Sequence, residues 1–330
     1  MSEAQQFLDG GTQMKEITVT DGQQKLSMTQ IVLGSSDYLK LDNMPKVNHM
    51  FDLYVELGGN TFDTARHYRD AESVIGDWMS RHDRKAFNII TKCCHPKRGA
   101  LDVPRVSPEN MRADLTESLQ HLQTEYVDVL LLHRDDPTKP VGPLMEAFSA
   151  LVDEGKVRFF GVSNWTLSRV QEAISYCREH GLHPLSFNSP NFSLASVNQP
   201  RWDNSVTADD EMIDWHTKTQ FPLLSWSAQA EAFFAHRFKP EDADNPELKE
   251  YTEVYFNDLN WRRMKVCDAI AAKHGVKPIQ VSLAYVLNAP FPVLATIGPE
   301  EEWMLEESFE TAELQLTTQE VQELRKGALD

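Results

Sequence analysis

Apolar residues recur along this chain in short, unalternating runs, separated by stretches whose apolar positions are three and four residues apart. A short continuous apolar run suits a strand buried on both faces, and the wider spacing marks a helix with one buried face. The runs fall at Gln30–Gly34, Thr61–Thr64, Asn88–Lys92, Val127–His133, Phe159–Ser163, Leu185–Ser189, Leu223–Trp226 and Val293–Ile297. The helical stretches carry boundary chemistry. From Pro108 to Leu122, Ser107 is placed to cap and Pro108 occupies the first turn, while Met111, Leu115, Leu119 and Leu122 share a face. Leu144 to Leu151 is a second helix, closing at Gly155, and Val281 to Leu287 a third, stopping before Pro290 and Pro292.

Eight strands alternating with helices imply parallel pairing through right-handed crossovers. A closed (β/α)8 TIM barrel and an open doubly wound sheet both satisfy that pattern. The open sheet with a dinucleotide calls for G-x-G-x-x-G after its first strand, and LGSSDYLK does not match. The expected fold is therefore the α/β barrel. Asp21-Gly22, between short apolar stretches, signals a β-hairpin able to close the barrel bottom. No linker, repeat or low-complexity tract interrupts the 330 residues, so one domain spanning 1–330, with its core at about 14–326, is expected.

Barrel enzymes place chemistry at the C-terminal ends of their strands. Here the second strand ends with Asp63, the third with Lys92 and the fourth with His133, and Tyr68 follows Asp63 in the next loop. Asp63 and Lys92 suit an ion pair. The same ammonium beside Tyr68 would lower the phenol pKa from ~10, allowing proton exchange nearer neutrality. His133 could orient a substrate oxygen. Two plainer readings compete: a structural ion pair, and a metal site in which His67 and His95 join Asp63 and His133. Against the metal stands Lys92, whose charge would repel a cation.

At these residues the chain resembles the aldo-keto reductases. GGNTFDTARHYRDAES, NIITKC, VDVLLLHRDDP, GKVRFFGVSNW and PLLSWS match that family's signature segments in order, over roughly Gln30 to Leu324. The resemblance implies a nicotinamide-dependent oxidoreductase that interconverts a carbonyl (aldehyde, ketone or sugar) and its alcohol. Asp63, Tyr68, Lys92 and His133 match the catalytic group, with Tyr68 as general acid. For the cofactor, NAD(H) or NADP(H), the resemblance implies Ser163 and Asn164 at the carboxamide, with Ser189 where a Gln is usual. Trp226 would stack on the nicotinamide, Ser227, Ala228, Gln229 and Glu231 would follow the pyrophosphate, and Gly298, Glu300, Glu307 and Ser308 would surround the adenosine end. Gly34, Ser35 and Ser36, at the end of the first strand, and Asp63 are expected to bind the cofactor as well.

Two segments depart from the family. Glu300, Glu301 and Glu302 stand where relatives often carry groups that hold a 2′-phosphate, and Ala230-Glu231-Ala232 stands where Gly or Arg is common. Carboxylates repel a phosphate and accept hydrogen bonds from a free ribose hydroxyl, so a slight preference for NAD(H), or else weak cofactor binding, is expected.

Charge narrows the partners. A net charge of −18 disfavours nucleic acid and anionic membrane surfaces. Cys93, Cys94, Cys177 and Cys267 show no zinc spacing and read as reduced thiols, and the polar, acidic N-terminus has no signal-peptide pattern. A cytoplasmic protein acting on a small carbonyl or alcohol is expected, with no metal and no membrane span. Residues 199–211, containing Trp202, form a polar connection long enough to be a lid. Arg134, Asp135 and Asp136 read as a solvated loop, and Asp135, Asp136 and Trp202 as a polar rim that would suit a sugar. Residues 240–250 either cover the cofactor or solvate the surface, and LTTQEVQEL reads as a capped helix. A cofactor-binding regulatory or docking barrel is the alternative function, with a metal-dependent hydrolase behind it.

Overall fold

In the computed structural model, residues 14–36 and 43–329 are described. The N-terminal segment 1–13, read above as lacking a secretion signal, and positions 37–40 of LGSSDYLK lie outside them. The chain opens with β1 (Glu16–Thr20) and β2 (Lys25–Thr29), paired antiparallel through a turn at Gly22, whose φ is 93°. The eight barrel strands follow as β3 (Ile31–Gly34), β4 (Thr61–Asp63), β5 (Asn88–Cys93), β6 (Val127–Leu132), β7 (Val157–Ser163), β8 (Phe187–Ser189), β9 (Leu223–Ser225) and β10 (Val293–Ile297). All pair parallel, and β10 closes on β3. Every expected strand is present, with ends shifted by at most two residues.

Helices connect them. α1 (Met44–Glu56) follows β3, α2 (Ala71–Met79) β4, α3 (Pro108–His121) β5, α4 (Val141–Asp153) β6, α5 (Leu167–Glu179) β7 and α6 (Asp210–Thr219) β8. α7 (Lys249–Tyr255), α8 (Asp258–His274) and α9 (Pro278–Leu287) separate β9 from β10, and α10 (Glu302–Glu310) and α11 (Thr318–Lys326) end the chain. The expected caps are in place. Ser107 accepts from the Asn110 N–H, and Gly155 after α4 takes a φ of 68°. Thr317 and Glu320 form the reciprocal cap of α11.

Strand side chains alternate between two apolar layers. Ile31, Leu33, Ile89, Leu130, Leu132, Phe160, Val162 and Val293 point outward into the helices. Val32, Ile90, Val129, Leu131, Phe159, Phe187, Leu224 and Leu294 point inward and pack with Ile17, Val19, Leu26 and Met28 of the hairpin. The hairpin also contacts the start of β7, where Gln24 donates to the Arg158 carbonyl and Arg158 donates back to the Lys25 carbonyl. It therefore plugs the N-terminal end. Gly161 makes room inside, because a Cβ there would stand 2.7 Å from Phe187 Cβ and 2.8 Å from Leu131 Cδ2.

The period of two decides what lies above this plug. Two residues beyond the inward apolar layer come Gly34, Lys92, His133, Ser189, Trp226 and Thr296, with Ser163 a further step along β7. Asp63 joins them because its neighbour Phe62 packs outward. The polar residues at the open end follow from the same alternation that builds the core.

Candidate active site

Lys92 donates to both carboxylate oxygens of Asp63, at 2.7 and 2.6 Å, and to the Thr64 carbonyl at 3.0 Å. Both side chains are almost wholly buried, at 3% and 6% exposure. Burial alone would discharge Lys92, but Asp63 and Tyr68 outweigh it and raise its pKa, so it stays an ammonium. Burial raises the Asp63 pKa while Lys92 draws it back. The loop carrying Tyr68 is anchored by Arg66 N–H to the Lys92 carbonyl (3.0 Å) and Tyr68 N–H to the Ala65 carbonyl (2.9 Å). This sets the Tyr68 ring 5.1 Å from the Lys92 ammonium and edge-on to His133 at 5.6 Å.

One expectation is corrected here. The Tyr68 pKa stands above its ordinary value, because burial raises it and Asp63 adds to the rise, against the opposing charges of Lys92 and Arg134. His133 is held well below its ordinary value by burial and by the cations Arg134 and Lys92, so its imidazole is neutral, and its buried Nδ1 has no partner.

Strand ends also supply unsatisfied polar atoms. Ser35 Oγ, Thr64 Oγ1, Ser189 Oγ, Asn191 Oδ1, Trp226 Nε1 and Thr296 Oγ1 are buried without hydrogen-bond partners. Buried polar atoms normally find partners, so a ring of orphans at one end of a barrel fits a polar ligand. Several backbone outliers lie in the segments that follow strands at this end. Cys94, Asn164, Ser227, Ala230, Glu231 and Ala232, all non-glycine, adopt φ between 48° and 63°. Such residues cost of order 1–3 kcal/mol each and cluster where a ligand is held.

The cofactor-side residues are placed unevenly. Ser163 Oγ donates to the Ser189 carbonyl (2.8 Å), and Asn164 Nδ2 donates to the His133 carbonyl (3.1 Å) and Ser163 Oγ (3.0 Å), while Asn164 Oδ1 accepts from the Val206 N–H (3.1 Å). Their donors are spent, and what remains are acceptor lone pairs, which suit an amide NH2. Gly34 has a packing reason: a Cβ there would meet Ile297 O and Thr296 Cγ2, each at 2.8 Å. Ser36 is exposed and Ala228 buried. Trp226 lies against Trp202 of the connection after β8, ring centroids 5.3 Å apart. Ser227 reaches Glu231 at 3.5 Å, and Gln229 reaches Ser308 at 3.5 Å. Glu307 is tied to Lys277. Gly298 and Glu300 are exposed, but Glu301 pairs with Lys46 at 2.6 Å and Glu302 with His49 at 3.2 Å, so two of the three carboxylates are engaged with α1.

Other readings are revised. Asp135 is bound by Arg169, and Asp136 accepts from the Thr138 N–H and hydroxyl, so neither forms an open polar rim. His67 and His95 stack face to face at 3.6 Å, and His95 Nδ1 is taken by the Pro96 carbonyl. Among the described residues no group of three His, Cys, Asp or Glu is arranged to hold a metal. Sequence reasoning missed Asn191, whose side-chain amide donates to the Trp226 carbonyl and whose backbone N–H donates to the Val206 carbonyl. It also missed Glu72, buried against Thr91 at 2.6 Å behind Lys92. Neither sits in a pattern that would have singled it out.

A barrel whose open end gathers an ammonium, a carboxylate, a phenol and a neutral imidazole above an apolar plug is built as an enzyme of the (β/α)8 class. The chain belongs to the aldo/keto reductase family, whose model matches residues 30–328. It is an oxidoreductase of a family that generally uses nicotinamide cofactors. It is 30% identical over 290 residues to an aryl-alcohol dehydrogenase of Pestalotiopsis microspora, covering 84% of this chain and 71% of that one. It is 31% identical over 258 residues to norsolorinic acid reductase B of Aspergillus parasiticus, covering 74% of this chain and 65% of that longer protein. A thermostable aldo-keto reductase, Tm1743, solved with the inhibitor epalrestat, shares the fold at a TM-score of 0.72 and 19% identity, over 96% of this chain and all of that one. Among the described residues no helix is long and apolar enough to cross a membrane.

Proposed function

We propose that this protein reduces a small carbonyl compound to its alcohol, or runs the reverse, with Tyr68 moving the proton and a nicotinamide cofactor as redox partner. The observation that carries this reading is the convergence of Asp63, Tyr68, Lys92 and His133 at the open end of the barrel. When bound, the reduced cofactor supplies a hydride to the carbonyl carbon. Tyr68, kept protonated by burial, gives its proton to the carbonyl oxygen, and the Lys92 ammonium stabilises the phenolate left behind. Asp63 holds Lys92 charged and in place. Neutral His133 donates a hydrogen bond to the same oxygen and fixes its approach. Ser163, Asn164 and Ser189 would hold the carboxamide and Trp226 the nicotinamide face, with Ser227 to Glu231 along the pyrophosphate and Gly298 to Ser308 at the adenosine end.

NADH is the preferred partner in this reading. Among the described residues, Lys46 and His49 face the Glu300–Glu302 segment, and each already meets one of its carboxylates, so the segment stays acidic and ill-suited to a 2′-phosphate. The test is to titrate the protein with NADH and NADPH, following tryptophan quenching, and then to add aryl and alkyl aldehydes and follow loss of the reduced nicotinamide. Tighter NADH binding with aldehyde-dependent oxidation is expected. Tighter NADPH binding would refute the cofactor preference, and binding without turnover of any aldehyde would favour the docking-barrel alternative.

A further inference from the structure

Acids outnumber Lys and Arg here by 50 to 32, so nearly every partly buried arginine should find a carboxylate. Arg84, Arg105, Arg158, Arg169 and Arg201 do. Among the described residues Arg263 has no such partner, yet spends its donors on the carbonyls of Leu194, Leu324 and Arg325. Arg134 is different. It directly follows His133, is half-buried, and among the described residues its side chain's only hydrogen bond runs from Nη1 to the His133 carbonyl at 3.0 Å. Among the described residues no carboxylate lies within ion-pair distance of it. The two acids next to it in sequence are turned away, Asp135 to Arg169 and Asp136 to Thr138.

Its backbone is pinned, because the Arg134 carbonyl accepts from the Trp165 indole at 3.4 Å and the His133 N–H binds the Cys93 carbonyl at 3.0 Å. The charge reaches the reacting group: it opposes the rise in the Tyr68 pKa and helps depress His133 and His95. Around it the mouth offers flat rings, with His95 at 4.7 Å from His133 and stacked on His67. A guanidinium has five donors in a planar fork that matches a carboxylate, and four of these donors are unused. Keeping a half-buried cation without a partner is costly, and the cost is recovered if a ligand brings the anion.

We propose that Arg134 is a specificity-determining residue that binds the carboxylate of an anionic, flat carbonyl substrate beside Tyr68 and His133. The inference rests on the carbonyl-reductase reading above and adds the charge of the substrate to it. The experiment compares the isomeric 3- and 4-formylbenzoates with their methyl esters, measuring kcat/KM in the native protein, Arg134→Ala and Arg134→Lys. Calorimetry with benzoate and benzamide runs in parallel and needs no turnover. In the native protein at least one formylbenzoate is expected to outperform its ester. The acid-to-ester ratio should fall ~10-fold or more in Arg134→Ala, in line with the loss of one charge-assisted pair. Arg134→Lys should keep part of the preference, and benzoate should bind the native protein better than Arg134→Ala while benzamide does not discriminate. An ester preference in the native protein, or a ratio unmoved by Arg134→Ala, overturns the proposal. Benzoate binding that depends on Arg134, with no turnover of any aldehyde, would uphold the anion site and overturn the catalytic reading instead.

Discussion

Replacing Asp63 by Asn removes the counter-charge of a buried ammonium while keeping shape. At the observed 2.6 Å, two unit charges attract by about 6 kcal/mol at an effective dielectric constant of 20. Burying each ion costs several kcal/mol, so the intact pair contributes little net stability. Breaking it is another matter. With 3% exposure Lys92 has almost no water to turn to, and only uncharged acceptors, the Thr64 carbonyl and the new amide oxygen among them, would remain. Asp63→Asn should therefore destabilise by about 3–5 kcal/mol. Lys92→Met leaves a buried carboxylate, whose already raised pKa lets it take up a proton, so its cost should be smaller. The double variant has neither orphan. The assay is urea unfolding followed by circular dichroism for all four proteins, with the slope checked for constancy. The double variant is expected to cost at least ~2 kcal/mol less than the sum of the singles. Additivity within ~0.5 kcal/mol would refute the claim that the two charges depend on each other.

Further outcomes follow from other sites. Glu320 accepts from the Thr317 N–H and hydroxyl, Lys273 and His274, and its pKa is lowered to about 2 despite burial. Because the folded pKa lies below the ordinary carboxyl value of 4.5, its stabilisation of about 3 kcal/mol is complete above that value and is lost as pH falls toward 2. Glu320→Gln should flatten stability against pH in that acid window, and an unchanged curve would show that the cap and ion pairs carry no charge-dependent stability. Gly34→Ala should cost ~1–3 kcal/mol by forcing β3 from β10, and a loss below ~0.5 kcal/mol in unfolding measurements would mean that this contact gives way.

Much of this was legible because one alternation governs both core and site. The strand runs and their polar C-terminal ends were visible in the sequence, and in the structure Ile90, Leu131, Phe187 and Leu224 face inward, so Lys92, His133, Ser189 and Trp226 two positions on face the open end. The hairpin was legible from Asp21-Gly22, since Gly readily supplies the positive φ that a tight turn needs, observed as 93° at Gly22. Other features depend on geometry that no local pattern encodes. The Tyr68 pKa was misjudged because the sequence displays the neighbouring Lys92 but not the burial that outweighs it. Asp135 looked solvated because Arg169, its partner, lies 34 residues away on α5. Arg134 was hidden for the complementary reason, since no sequence shows which charges remain without a partner. Glu301 and Glu302 read as a free acidic patch because Lys46 and His49 are far off in the chain.

The central claim is that Tyr68 gives the proton. It is tested most directly by single-turnover reduction of an aryl aldehyde at saturating NADH, comparing the native protein with Tyr68→Phe and measuring cofactor affinity in both. Loss of the hydroxyl alone should slow the step by roughly 10²- to 10⁴-fold and leave NADH affinity unchanged. A single-turnover rate within threefold of the native protein would contradict the account, because the proton would then come from another group.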